Sequence, residues 1–291
     1  MTDIRRVGVA GAGTMGAGIA IVSARGGFET VLYDIDAGAL ESALSQSRSF
    51  FAKSVEKGKL TQDHVDAILG RLGTTTELKN LGGSDIVIEA VYEDLAAKRE
   101  LFGRLDAICP PETIFASNTS TLSITEIAAG SGRDDRCIGM HFCLPAPLMK
   151  LVEMSAGLET DEAVFARAWS FCEAMGQTPV RTKDSPGFIL NCLLVPWHND
   201  VIRLVEAGVA EPADIDLAVK KALGYPLGPC ELLDMIGMDT QMLLCETFYG
   251  VTNDPRAACP PLVRKMVAAG RLGRKSKRGF FNYEGPTMFG A

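Results

Sequence analysis

The sequence predicts an α/β fold, a doubly wound parallel sheet followed by an all-α C-terminal domain, on three observations. A glycine fingerprint, Gly11-Ala12-Gly13-Thr14-Met15-Gly16, stands between a short apolar run and a stretch of helical period. Apolar, strand-like runs then alternate with amphipathic segments, the pattern of helices covering both faces of a sheet. Beyond residue 189 the strand-like runs give way to helical periodicity.

In order along the chain, Arg6-Val7-Gly8-Val9-Ala10 reads as a strand, the fingerprint as a tight turn, and residues 19–24 as a helix stopped by Gly26-Gly27. Thr30-Val31-Leu32-Tyr33-Asp34 is the second strand. The resulting βαβ unit is of Rossmann type, and its crossover is expected to be right-handed. Residues 40–70 form a charged helical pattern broken at Gly58, which predicts a helical hairpin projecting from the sheet. Further strands are expected at residues 86–90, 113–116 and 137–140, with an amphipathic helix over 95–108. The texture changes around Asp184-Ser185-Pro186-Gly187-Phe188. Residues 1–185 are therefore assigned to a nucleotide-binding domain and 186–291 to a helical domain.

At 291 residues the chain is long for one core, in keeping with two domains. With 29 basic against 36 acidic residues its net charge is −7, which disfavours nucleic acid and anionic membranes as partners. An anionic substrate then requires a local basic patch. The eight cysteines are scattered singly, without Cys-x-x-Cys or cysteine–histidine metal spacing, and read as reduced thiols. No signal-like segment opens the sequence and no apolar run approaches the roughly 20 residues of a membrane span. A cytoplasmic protein without a metal site is expected.

In the fingerprint, Gly11 permits the tight turn, Gly13 lets a pyrophosphate approach bare backbone, and Gly16 allows close helix packing, while the N–H groups at the start of the helix face the phosphates. Asp34, about 20 residues on, is placed to accept hydrogen bonds from ribose hydroxyls and to repel a 2′-phosphate, so NAD is preferred over NADP. A ligand-free glycine turn, with Asp34 as a plain turn former, is the competing reading. His141, in Gly139-Met140-His141-Phe142, is followed twelve positions later by Glu153. An imidazole with a carboxylate partner can take a proton from an alcohol. Together with a nucleotide site, this pair points to a nicotinamide-dependent hydroxyl dehydrogenase. The other histidines are His64 and His198.

Seven motifs, in order, carry a resemblance: the fingerprint, Ser117-Asn118-Thr119-Ser120, Gly139-Met140-His141-Phe142, Met149-Lys150-Leu151-Val152-Glu153, Ser185-Pro186-Gly187-Phe188-Ile189-Leu190-Asn191, Gly224-Tyr225-Pro226-Leu227-Gly228-Pro229 and Leu272-Gly273-Arg274-Lys275. From Val7 to Tyr283 the chain resembles the L-3-hydroxyacyl-CoA dehydrogenase family, and within it the bacterial 3-hydroxybutyryl-CoA dehydrogenases. The resemblance implies NAD as cofactor, an acyl-CoA as substrate and a homodimer formed through the helical domain. It makes His141 the general base toward the 3-hydroxyl and Glu153 its orienting partner. Ser120 and Asn191 become polar contacts to the reacting oxygen and the thioester, in a cleft between the domains. Gly11, Gly13, Thr14, Met15, Gly16, Asp34, Glu93, Lys98 and Asn118 fall to the cofactor, and Lys53 and Lys57 to the phosphates of coenzyme A. Alternatives remain open at several positions: Ser120 as a helix N-cap with Glu126 nearby, Glu93 and Lys98 as surface charges, and Lys53 and Lys57 as a solvated helix face.

Two departures bear on substrate. Where the family has Phe-Phe-Asn-Pro this chain reads Phe142-Cys143-Leu144-Pro145, and where the family has Asn-Arg it reads Asn191-Cys192. Leu144 removes a carboxamide and adds apolar surface, which favours a bulkier, less polar acyl group or reduced activity. His198, seven residues after Asn191, lies about 20° from the same helix face and is read either as pocket-lining or as a packed imidazole. Other 3-hydroxy substrates, including a sugar acid or a carrier-tethered acyl group, and a non-catalytic NAD-binding role are the remaining alternatives.

Overall fold

The computed structural model describes residues 2–284, and the contacts divide the chain into two compact units between Phe188 and Ile189. In the first unit, eight strands form one sheet: β1 (Arg6–Ala10), β2 (Glu29–Tyr33), β3 (Leu72–Thr75), β4 (Ile86–Glu89), β5 (Ile114–Ser117), β6 (Cys137–Phe142), β7 (Leu151–Ala156) and β8 (Thr178–Thr182). Their order is β3-β2-β1-β4-β5-β6-β7-β8. The first six strands run parallel, β7 turns antiparallel to β6, and β8 is parallel to β7. The order reverses between β1 and β4, and it is at the carboxyl ends of the strands around such a reversal that ligands bind in open α/β sheets.

The central strands are apolar throughout because helices cover both faces. Ile86 and Ile88 point into one core with Ile19, Met140, Met154 and Phe171, while Val87 between them joins Phe102, Leu105, Phe115 and Ile127 on the other side. The covering helices are α1 (Thr14–Arg25), α2 (Ala37–Glu56), α3 (Gln62–Leu69), α4 (Leu95–Asp106), α5 (Ile124–Ala128) and α6 (Glu162–Ala174). Asp36, Thr61, Asp94, Ser123 and Asp161 start α2 to α6, each side chain accepting a backbone N–H of its helix's first turn. Helices α2 and α3 are the two arms of the hairpin expected over residues 40–70.

Three strands and one helix lie beyond the elements read from sequence. β3 and β8 are the two edges, and their sequences are polar or carry Pro179, as edges tolerate. β7 carries Glu153 and Ser155, both fully buried, which masks its strand pattern. Helix α6 supplies Phe165, Ala168 and Phe171 to the core.

The second unit consists of α7 (Leu190–Glu206), α8 (Pro212–Leu223), α9 (Pro229–Ile236), α10 (Met238–Thr252) and α11 (Pro261–Ala268). Its main core gathers Ile202, Leu233, Met238, Val263 and Met266. Two buried aspartates tie its turns together. Asp216 accepts from the N–H groups of Cys230 and Glu231 at the start of α9, and Asp234 accepts from Phe280 N, Phe281 N and Tyr283 Oη. A Cβ at Gly228 would strike Asp216 and one at Gly273 the backbone of Asp234, which accounts for both glycines in the motifs.

Candidate active site

The loop after β1 meets the end of β4 at the sheet's reversal. Gly11 has φ +105° and a Cβ there would come within 2.7 Å of the Ala90 carbonyl oxygen. A Cβ at Gly16 would lie 1.7 Å from the Gly11 carbonyl oxygen, so this position closes the turn upon itself. Gly13, by contrast, faces open space, and α1 begins behind it with no side chain on its first N–H groups. Thr14 opens the helix exposed, and Met15 packs against the core. Beside this loop is a groove of about 340 Å³ lined by Gly11, Gly13, Asp34, Ile35, Val91 and Tyr92 among others. Asp34 follows β2 directly. One carboxylate oxygen accepts from Ala12 N at 2.7 Å and the other from Asp36 N at 3.0 Å, so Asp34 both builds the turn and lines the groove. Open backbone at Gly13, an uncapped helix start, a carboxylate and apolar walls fit a dinucleotide.

His141 lies next to the last residue of β6. The antiparallel register sets it directly opposite Glu153 on β7, and directly opposed residues share a face of the sheet. The twelve-residue spacing is thus the length of a β-hairpin connection. His141 Nδ1 is 2.8 Å from Glu153 Oε2, with the carboxylate fully buried. A negatively charged neighbour favours the proton on Nδ1, leaving the Nε2 lone pair outward. Nε2 lies 3.1 Å from Ser120 Oγ, and the imidazole ring packs against Phe188, centroids 5.5 Å apart. Phe188 is buried with φ +49°, and Gly187 N donates to Ser120 O at 3.1 Å. Both contacts lie within the first unit.

Ser120 is therefore not a helix cap; Ser123 caps α5, accepting from Glu126 N. Lys98 is not a surface charge either, whereas Glu93 keeps a partly exposed side chain. Lys98 is 1% exposed and reaches both oxygens of Glu89 at 2.8 Å and Glu93 Oε2 at 3.4 Å. Burial works against the Glu93 charge, but Lys98 and hydrogen bonds from Thr119, Ser120 and Thr121 outweigh it and hold the carboxyl below the usual range. Asn118 joins strand ends: its Oδ1 accepts from Phe142 N at 2.9 Å. Cys143, beside the site, has its thiol pushed up to about 11 by burial and then by Glu153, so it is neutral. Leu144 stands exposed after it.

Lys53 and Lys57, exposed at the hairpin tip, line a second groove of about 540 Å³ with Lys59, Phe50, Leu60, Pro147 and Arg25. Arg25 lines this groove rather than the one at Asp34, its Nη1 donating to Pro147 O at 3.1 Å. Asn191 lies half-buried in the first turn of α7, in the second unit. His198 is buried among Trp197, Gln241 and its neighbours, which makes it the packed imidazole and not a pocket wall.

Sequence reading missed Glu89, Arg25, Thr119 and Thr121. Glu89 had a readable signal, a lone charge closing an apolar strand with a lysine nine residues later. Among the described residues, no group of three His, Cys, Asp or Glu side chains is arranged to hold a metal ion, and no helix is long and apolar enough to cross a membrane.

The chain is similar to known dehydrogenases over almost its whole length. The chain is 45% identical over 285 residues to the probable 3-hydroxybutyryl-CoA dehydrogenase of Bacillus subtilis, covering 98% of this chain and 99% of that one. It is 43% identical over 290 residues to the 3-hydroxybutyryl-CoA dehydrogenase of Mycobacterium tuberculosis strain H37Rv, covering 97% and 100%. The crystal structure of (S)-3-hydroxybutyryl-CoA dehydrogenase from Ralstonia eutropha superposes with a TM-score of 0.91 at 40% identity, over 97% of this chain and 100% of that one. Residues 6–185 match the 3-hydroxyacyl-CoA dehydrogenase NAD binding domain and residues 187–283 the 3-hydroxyacyl-CoA dehydrogenase C-terminal domain, and the chain belongs to this family.

Proposed function

We propose that this protein catalyses the NAD-dependent interconversion of an L-3-hydroxyacyl-CoA and its 3-ketoacyl-CoA, with 3-hydroxybutyryl-CoA and acetoacetyl-CoA as the short-chain pair. The observation that carries the reading is His141 held between Glu153 on Nδ1 and Ser120 on Nε2. In the oxidative direction Nε2 takes the proton of the 3-hydroxyl, and Glu153 stabilises the imidazolium that forms. NAD held at the glycine loop of Gly11, Gly13 and Gly16 would supply the hydride acceptor for C3 in this direction and the hydride donor in the other. Ser120 Oγ, already within hydrogen-bond distance of Nε2, donates to the oxygen of the substrate and holds it in line with the imidazole. Asn191 is assigned the further polar contact to the thioester. Gly11, Gly13, Thr14, Met15, Gly16, Asp34, Glu93, Lys98 and Asn118 are assigned to the cofactor side, and the carboxylate of Asp34 favours NAD over a 2′-phosphorylated cofactor.

The hairpin groove supports coenzyme A as the carrier. Four cations, Arg25, Lys53, Lys57 and Lys59, converge there in a chain of net negative charge, as a phosphate-bearing ligand requires. The second unit is assigned to substrate and to a homodimer. It exposes Leu193, Leu204, Leu217, Leu223, Leu243, Tyr249 and Val251, a quantity of apolar surface that a second copy would cover. Cys109, Cys137, Cys143, Cys172, Cys230, Cys245 and Cys259 carry free thiols, which suits a reducing compartment such as the cytoplasm.

The deciding experiment follows NADH absorbance with acetoacetyl-CoA, alongside NADPH and the variants His141→Ala and Lys53→Ala/Lys57→Ala. NADH consumption that vanishes in His141→Ala is expected, with little from NADPH. The lysine pair should raise KM for the thioester and leave NADH affinity as it was. Turnover that survives in His141→Ala overturns the assignment, and an unchanged KM in the lysine variant removes coenzyme A from the hairpin.

A further inference from the structure

Ser120 hangs from a buried polar chain that begins inside the sheet. Glu89, the last residue of β4, is 0% exposed. One of its oxygens accepts from Ser117 Oγ, the other from Val91 N at 3.2 Å, and Lys98 Nζ sits 2.8 Å from both. The ammonium reaches on to Glu93 Oε2. Glu93 turns its other oxygen to the loop, where Oε1 accepts from Thr119 Oγ1, Ser120 N, Thr121 N and Thr121 Oγ1 at 2.6 to 3.0 Å.

We propose that Glu89 is a positioning residue for the dehydrogenase reaction, acting through Lys98 and Glu93 to fix the loop that aims Ser120 Oγ at His141 Nε2. A buried ion pair is a weak source of stability, because desolvation consumes most of its attraction. What this one supplies is geometry. Glu93 is 36% exposed in its side chain and is not held by packing. Two contacts to Glu89 fix the Lys98 ammonium, and the fixed ammonium fixes the Glu93 carboxylate against the loop donors. With a neutral amide at 89, the ammonium turns its whole charge on Glu93 and draws that carboxylate off Thr119, Ser120 and Thr121. The inference rests on the roles given above to Ser120 and His141.

The test is a double-mutant cycle between Glu89→Gln and Ser120→Ala, reading kcat, KM, NADH Kd by fluorescence and Tm. Alone, Glu89→Gln is expected to lower kcat roughly 10- to 100-fold, the scale of a misplaced contact, with a smaller change in NADH Kd through Glu93 and Lys98. In the Ser120→Ala background the same change should do almost nothing more. Losses that multiply across the two backgrounds, or a loss confined to NADH affinity or Tm, overturn the proposal. Should Glu89→Gln not fold, Ser117→Ala, which removes a donor to the Glu89 carboxylate, takes its place in the cycle with the same direction of effect and decides by the same criterion. Full activity in Ser120→Ala and His141→Ala would instead remove the functional reading itself, a result separable from a failed cycle.

Discussion

His141 and His198 are both buried, at 8% and 2% exposure, and each has an oxygen opposite Nδ1, yet their surroundings differ in kind. His141 faces a carboxylate at 2.8 Å and directs Nε2 to a serine hydroxyl. His198 faces the amide oxygen of Gln241 at 3.3 Å, and its Nε2 is buried with no hydrogen-bond partner among the described residues. Gln241 Nε2 donates to Asn199 Oδ1, and Cys245 Sγ donates to the same oxygen. Asn199 Nδ2 carries this second network on to Arg256 O at 2.9 Å, so it holds packing together and presents no free nitrogen lone pair beside a charged partner. Burial pushes the His198 imidazole down to about 4, so it is neutral near pH 7. Depth does not separate a working histidine from a packed one; the charge of the partner and the direction of the second nitrogen do.

The largest effects come from removing each ring. His141→Ala should lower kcat roughly 10²- to 10⁴-fold, the contribution of a general base, and change Tm little. His198→Ala should do the reverse, losing about 2–4 kcal/mol of stability to a core cavity while kcat per folded molecule holds. Steady-state kinetics beside thermal melts of both variants check the pair. Equal losses of kcat would erase the distinction.

A finer change converts one environment into the other. Glu153→Gln gives His141 an amide partner of nearly unchanged shape, the partner His198 already has. The imidazolium then loses its counter-charge, and the expected fall in kcat is roughly 10²-fold with NADH affinity intact. Kinetics of the purified variant against NADH titration decide. Activity close to the starting value would mean that Glu153 orients the ring without stabilising its charge.

How much of this was legible in the sequence depends on the range of the interactions. The β1–α1–β2 unit, the hairpin and the helical second unit are set by local period and glycines, and they emerge where expected. His141 and Glu153 could be paired by spacing, but the reason for the spacing, strand register across β6 and β7, needed the sheet. Ser120 is ambiguous in sequence because Ser123, three residues on, also precedes the apolar stretch, and the fold decides that Ser123 caps α5. Lys98 sits in a helix that reads as amphipathic, and its nine-residue spacing from Glu89 is the one local hint that its ammonium turns inward. The edge strands β3 and β8 escaped because edges need little apolar sequence. Gly187 and Phe188 are held by Ser120 and His141 through contacts made across more than forty residues of chain, which no local pattern shows.

The smallest effect separates the two histidines by pH. The unfolded chain binds a proton at His198 near the ordinary value of 6.5, whereas the folded chain binds it only near 4. Between those values the unfolded state holds more protons, so stability falls as pH falls below about 6.5, and this contribution to the decline levels off below about 4. From pH 7 to pH 5 the loss attributable to this residue is on the order of 1–2 kcal/mol. His198→Gln removes the titration and keeps a donor for Gln241, so its urea midpoint should fall less steeply over that interval than that of the unmodified protein. Identical slopes would mean that the buried network opens to water before the imidazole charges, and the packed character of His198 would then have to be given up.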